Sequence, residues 1–294
     1  MGLGANNFGR RLGLDGARAV VDAALEAGIT FFDTADIYGS GESERFLGEI
    51  LDGRSDGVVV ATKFGMEMYD TDVPRGSREY IMRAVEGSLD RLGRDRIDVY
   101  WYHQPDGRTP IGDTLAALDE LVQAGTVGAI GASNFSAEQL EEADRTAGEA
   151  GLTPFVAVQN EYSLLVRDAE REVLPVCGRL GTGFVPYFPL ASGLLTGKYR
   201  RNEPAPSGTR LAGRGQIATS EQFDLLERLE RYAGERGLRL TDVAIGALLA
   251  RPVVSSVIAG ATKPEQVHGN VAAARWQPSQ DDLDELERAL GTDA

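Results

Sequence analysis

From Gly2 to Leu290 the chain alternates between short apolar runs of strand length and segments whose apolar residues recur at helical spacing. Strand-like runs fall at residues 2–5, 29–33, 58–62, 97–102, 127–131, 155–158, 183–187 and 253–258. Between them the pattern predicts helices over 17–25, where Gly28 stops the run, and over 44–51. Ser77 can cap a third helix, which Gly93 ends, and Thr109-Pro110 opens a fourth. Ser136-x-x-Gln139 has the form of a capping box for a fifth, and further helices are expected over 168–180, 241–250, 263–271 and 279–290. Eight such units can build an open doubly wound sheet or a closed barrel. An open sheet that binds a dinucleotide should show G-x-G-x-x-G between its first strand and helix. The nearest stretch, Gly39-Ser40-Gly41-Glu42-Ser43-Glu44, lacks the third glycine and puts two acids where pyrophosphate would lie. The expected fold is therefore an α/β (β/α)8 TIM barrel over residues 1–294 as a single domain, with a long loop at 188–218 and a C-terminal helix at 279–290. A barrel carries the C-terminal ends of all its strands to one face, so residues at those ends become the candidates for chemistry.

Thirty basic side chains against forty-five acidic ones give a net charge of −15. That balance argues against nucleic-acid or anionic-membrane partners. No apolar run approaches the ~20 residues that span a bilayer, and no leader peptide is visible. The lone Cys177 sits in a helical apolar pattern and reads as core packing. These features predict a soluble, cytoplasmic protein. Two histidines and one cysteine, widely scattered, predict no metal site.

Three consecutive strands run into Asp33, Lys63 and His103, and Tyr38 stands in the loop after the first of them. Taken alone, Asp33 and Tyr38 would more often be turn and packing residues. A buried strand rarely carries a lysine unless it is paired, which shifts the balance towards a site. The order Asp33, Tyr38, Lys63, His103 resembles the catalytic tetrad of the aldo-keto reductases, and the resemblance extends over essentially the whole chain. It implies interconversion of an aldehyde, ketone or sugar carbonyl with an alcohol. Tyr38 would act as general acid and base, Lys63 would lower the pKa of its phenol, Asp33 would hold Lys63, and His103 would orient the substrate oxygen. The partner is then a small-molecule carbonyl or alcohol.

None of the four can supply reducing equivalents, so a hydride donor is needed. The resemblance implies NADP(H) as the preferred cofactor, with NAD(H) possible. Ser133, Asn134 and Gln159 match positions that bind the nicotinamide carboxamide, and Tyr187 matches the aromatic that stacks on the ring. Taken alone, Ser133-Asn134 reads as a helix cap and Tyr187 as core. The run 189–198, with Pro189, Leu190, Gly193, Leu195, Gly197 and Lys198, resembles the loop that faces the pyrophosphate. Gly260, Thr262, Lys263, Gln266 and Asn270 match the part that holds the adenosine end, where Thr262-x-x-Glu265 has the form of a capping box. A typical arginine clamp is missing from that stretch, since Gln266 fills one of its positions. Lys198, Arg200, Arg201, Arg210 and Arg214 face only Glu203 between 198 and 214. This basic stretch is either a solvated loop or a closure over an anionic cofactor.

Two departures stand out. Family members begin with a β-hairpin that plugs the barrel bottom, whereas this sequence starts at Met1-Gly2-Leu3-Gly4, inside strand one, so the plug is expected to be lacking. Phe188 stands where many relatives carry a small polar residue. Oligomeric state is left open. A different class is a cofactor-binding regulatory subunit with little turnover, as in the potassium-channel β subunits that share the fold. A glycosidase would need a second acid at another strand end, and strands three to five end in Lys63, His103 and Ser133 instead.

Overall fold

The computed structural model describes residues 1–54, 56–69, 72–213 and 215–291. Eight parallel strands form one sheet in the order β7-β6-β5-β4-β3-β2-β1-β8. They are β1 (Gly2–Gly4), β2 (Phe31–Asp33), β3 (Val59–Phe64), β4 (Ile97–Tyr102), β5 (Val127–Ser133), β6 (Ala157–Gln159), β7 (Gly183–Phe184) and β8 (Ile258–Gly260). The ring closes where Phe184 N donates to Val253 O at 2.7 Å and Ser255 N donates to Phe184 O at 3.0 Å. This is a (β/α)8 barrel.

Helices α1 (Leu14–Glu26), α2 (Glu42–Leu51), α3 (Arg78–Leu92), α4 (Ile111–Gln123) and α5 (Ala137–Ala150) follow the first five strands. Short α6 (Asp168–Arg171) and α7 (Val173–Leu180) follow β6, α8 (Ser220–Glu235) and α9 (Leu240–Leu249) follow β7, and α10 (Pro264–Ala273) and α11 (Gln280–Leu290) close the chain. Ser77 and Ser136 cap α3 and α5 as their sequences predict, the latter with both halves of its box formed.

Three local expectations are corrected. The helix predicted over 168–180 breaks at Glu172 (φ −123°, ψ −58°), because the ring of Pro175 would clash with the carbonyl four residues earlier. Helix α8 is absent from the sequence reading, although Thr219-x-x-Gln222 forms a complete capping box at its start. The eighth strand begins at Ile258 rather than at Val253, since 253–255 serves the closure with Phe184.

Strand alternation sorts the residues into two layers. Phe32, Val60, Phe64, Tyr100, Tyr102, Ile130, Val158 and Phe184 point outward and join the core under the helices. Phe31, Ala61, Val99, Trp101, Ala157, Val185 and Ile258 point inward and fill the barrel. Trp101 is the bulkiest of them: a Cβ on Gly131 would come within 2.3 Å of its ring, so β5 needs glycine there. A third apolar cluster lies under α8, α9 and α11 and includes Leu195, Phe223, Leu226 and Leu286.

Candidate active site

The same alternation dictates what stands at the mouth. Counting by twos past the inward residues Phe31, Ala61, Trp101, Gly131, Ala157 and Val185 gives Asp33, Lys63, His103, Ser133, Gln159 and Tyr187. All of these except Lys63 line a cavity of about 1090 Å³. Lys63 lies just beneath its floor, fully buried.

Lys63 Nζ donates to Asp33 Oδ1 and, at 2.7 Å, to Thr34 O. Its third proton is left for the Tyr38 side, and the two groups interact electrostatically. Nζ lies 5.2 Å from the centre of the Tyr38 ring. Tyr38 opens a single turn, Tyr38–Gly41, entered through Tyr38 N to Ala35 O at 3.1 Å and held by Ser40 N to Ile37 O at 3.1 Å. That turn requires Gly39 (φ 58°): a Cβ there would lie 2.9 Å from the backbone of Phe8 and Gly9, where the first two loops press together. The ring of Tyr38 meets His103 edge-on at 5.9 Å between centroids. The structure thus brings Asp33, Tyr38, Lys63 and His103 together.

Protonation follows from burial. Removal from water is the largest single influence and disfavours the Lys63 ammonium, but Asp33 and Tyr38 together outweigh it and the pKa is raised. The Tyr38 phenol is also raised, because desolvation outweighs the charge of Lys63. This corrects the expectation of a lowered phenol: Lys63 limits the rise without reversing it. His103 is pushed down to about 3 by burial and by Lys63, so the imidazole is neutral at physiological pH. Its Nδ1 is buried with no hydrogen-bond partner among the described residues.

A polar ladder continues around the mouth. Gln159 Nε2 donates to Asp33 Oδ2 at 3.0 Å, and Gln159 O accepts from Ser133 Oγ at 2.7 Å and Asn134 N at 3.1 Å. Asn134 is left-handed (φ 59°), a conformation asparagine tolerates better than most residues. Its amide donates to His103 O at 2.9 Å and its oxygen accepts from Tyr187 Oη at 2.8 Å.

The cavity then runs past the β7 and β8 loops. Pro189, Leu190, Gly193 and Lys198 line it, and so do Gly260, Thr262, Lys263, Gln266 and Asn270. Leu195 and Gly197 do not: Leu195 is buried in the cluster under α8 and α9, and Gly197 turns the chain at φ 72° beside Glu230. The box expected between Thr262 and Glu265 is not formed. Pro264 takes the first helical position, so Lys263 is the N-cap and Gln266 Oε1 accepts from Thr262 N at 2.7 Å. The basic stretch divides. Lys198 and Arg210 line the cavity, whereas Arg200 pairs with Glu230 and Arg201 with Asp224 and Glu227 on α8. Arg214 lies outside the described residues.

Several lining residues are absent from the sequence reading. Asn6, Asn7 and Arg11 come from the loop after β1, which the strand-end rule could have flagged, while Arg239, between α8 and α9, and Thr241, in the first turn of α9, carried no signal. Met66 and Gln104 face the cavity from the loops after β3 and β4, and Phe188, marked in the sequence only as a departure, faces it from the loop after β7.

The residues fit an extended dinucleotide. A Cβ on Gly193 would sit 3.2 Å from Lys198 Nζ, so a cation overhangs a bare stretch of backbone suited to phosphate. Asn6 Oδ1, beside Gly260, is buried without a partner among the described residues.

Residues 1–290 match the model of the aldo/keto reductase family. A probable voltage-gated potassium channel subunit beta of Oryza sativa subsp. japonica is 36% identical over 275 residues, covering 90% of this chain and 84% of that protein. The uncharacterized oxidoreductase YrpG of Bacillus subtilis is 38% identical, covering 92% and 86%. A probable aldo-keto reductase 1 of Glycine max is 34% identical, covering 92% and 78%.

Proposed function

The chain belongs to the aldo/keto reductase family, and on that footing we propose that it is an NADP(H)-dependent oxidoreductase. It would interconvert an aldehyde, ketone or sugar carbonyl with the corresponding alcohol, with residues 1–294 as one catalytic domain working in the cytoplasm. The observation that carries this reading is the convergence of Tyr38, His103 and the buried Asp33–Lys63 pair at one part of a long cavity. Other parts of that cavity offer Lys198, Lys263, Gln266 and Asn270.

A bound nicotinamide would supply the hydride. The chain's own part is to place and move a proton. Neutral His103, with Nδ1 shut away, leaves Nε2 to donate to a substrate oxygen and fix the carbonyl. Tyr38 holds its proton at neutral pH and can release it as negative charge develops on that oxygen. Lys63 then stabilises the phenolate, and its bond to Asp33 keeps it charged and aimed. In the reverse direction the phenolate must form first, so alcohol oxidation should favour higher pH than carbonyl reduction does.

The test is a panel of aldehydes, ketones and sugars followed by nicotinamide absorbance with NADPH and NADH in parallel. Turnover of at least one carbonyl with NADPH is expected. Binding of NADPH with no turnover across the panel would instead favour a cofactor-binding regulatory subunit of the same fold. That second reading draws on the potassium-channel names carried by three relatives at 36%, 32% and 35% identity.

A further inference from the structure

Asp33 has two carboxylate oxygens, and each has a different keeper. Oδ1 accepts from Lys63, the neighbour on the adjoining strand. Oδ2 accepts from Gln159 Nε2 at 3.0 Å, and Gln159 comes from β6, half-way round the ring from β2. Among the described residues no other hydrogen bond reaches Oδ2. Gln159 is almost fully buried, and its carbonyl is fixed by Ser133 and Asn134, so its side chain spans the mouth from a rigid base. A carboxylate receiving a neutral amide donor makes a charge-assisted bond, stronger and more directional than one between neutral groups. Among the described residues Gln159 Oε1 makes no hydrogen bond, and the residue lines the cavity, so that oxygen can meet a ligand while Nε2 stays on Asp33.

We propose that Gln159 is a positioning residue for proton transfer: by pinning Asp33 from across the barrel it fixes the Asp33–Lys63 pair against Tyr38 and links that geometry to whatever its free oxygen holds in the cavity. The argument runs through contacts in series. With Oδ2 released, the Asp33 carboxylate can rotate about its last bond and Lys63 loses its fixed acceptor. Lys63 then stabilises the Tyr38 phenolate less well. This rests on the oxidoreductase reading for its kinetic consequences but not for the contact itself.

The test therefore has a part that needs no cofactor. Thermal unfolding of the unliganded wild type, Gln159→Leu, Asp33→Asn and the double variant forms a mutant cycle. The two substitutions are expected to be non-additive by roughly 2–4 °C, as residues sharing one bond should be. In turnover, Gln159→Leu should lower kcat by about 10-fold and move the pH limb of alcohol oxidation about one unit alkaline, with a smaller change in NADPH affinity read by fluorescence. Gln159→Glu loses its donor when ionised and regains it when protonated, so its activity should recover relative to wild type as pH falls. It carries the test if Gln159→Leu fails to fold. Additive unfolding shifts with an unmoved pH limb, and only weaker NADPH binding, would overturn the proposal and leave Gln159 a ligand for the cofactor alone. A wild type that neither binds NADPH nor turns over would sink the functional reading, and the unfolding cycle would still decide whether Gln159 holds Asp33.

Discussion

Two buried ion pairs lie back to back across strand β3. On its inner side Lys63 meets Asp33; on its outer side Glu44 of α2 meets Arg91 of α3, with Nε 2.6 Å from Oε2. Thr62, the residue before Lys63, points outward and donates to Glu44 Oε1 at 2.5 Å. Both carboxylates are at most 4% exposed, so burial and pairing cannot tell which one belongs to a site. Their surroundings can. Glu44 is surrounded by helices and its two oxygens are taken by Thr62 and Arg91. Asp33 opens on the cavity, and the cation it holds has one more donor aimed at an ionisable phenol. A buried pair reads as catalytic when it has spare hydrogen-bonding capacity facing a space a ligand can enter.

The sharpest break between the two pairs should come on the outer side. Arg91→Leu leaves Glu44 buried with its charge unmatched, which typically costs about 3–5 kcal/mol. Chemical denaturation should show a loss of that size, while turnover per folded molecule under native conditions stays near wild type. A comparable fall in kcat with little loss of stability would erase the distinction between the pairs.

Between them lies Asp36, two residues before Tyr38, fully buried, with neither carboxylate oxygen bonded to a described side chain. Burial, reinforced by the charge of Glu44, pushes its pKa up to about 8, against the opposing charges of Arg91 and Lys63. Tyr38, Tyr80 and Tyr100 also lie within reach of its charge. The sign follows from linkage. The folded protein keeps a proton that the unfolded chain releases near its ordinary value of 3.8, so stability falls as pH rises between the two, by up to about 1.4 kcal/mol per unit. Asp36→Asn removes that slope. Its stability advantage over wild type should grow by roughly 3 kcal/mol between pH 5 and pH 8 and then level off. A constant difference across that range would mean that Asp36 is ionised throughout.

On the inner side the expected effect is on rate. Tyr38→Phe keeps the ring and removes the proton, so kcat should fall by about 100-fold or more while NADPH binding is retained. Stopped-flow or steady-state turnover beside a fluorescence titration separates the two. Turnover near wild type would remove Tyr38 from the mechanism and with it the contrast between the pairs.

The sequence made the inner pair readable and left the outer one hidden, for a physical reason. Period-two alternation makes strand ends legible, so Asp33, Lys63, His103 and Gln159 could be picked out one strand at a time. Glu44 and Arg91 meet only because α2 packs on α3, a contact that no local pattern encodes. Asp36 escaped for a related reason: nothing in D-T-A-D-I-Y-G says that the second of its two acids is buried as deeply as the first. Arg239 reaches the cavity from the turn after the missed α8, and Thr241 from the first turn of α9. Leu195 was misplaced because a glycine-rich loop has no periodicity from which to tell an inward residue from an outward one.

The smallest effect belongs to the far end of the cavity, where charge is least buried. Lys263 caps α10 without a side-chain bond of its own, and its side chain is exposed. NADP differs from NAD by a ribose 2′-phosphate, and in the proposed pose that group meets Lys263 and the first amides of α10. A charge-assisted hydrogen bond contributes about 1.5–3 kcal/mol, and exposure to solvent puts Lys263 at the lower end, near 10-fold in affinity. Lys263→Ala should weaken NADPH by about that factor and leave NADH nearly unchanged. Arg239 lines the same stretch, but its guanidinium is already engaged by Asp242 and by Gly269 O at 3.3 Å, so it offers less free charge than its position suggests. Raising the salt concentration should shrink the Lys263 effect and spare that of Tyr38, since only the first is screened. Equal losses for NADPH and NADH in Lys263→Ala would move the phosphate away from α10 and make Arg239 or Arg11 the next residue to replace.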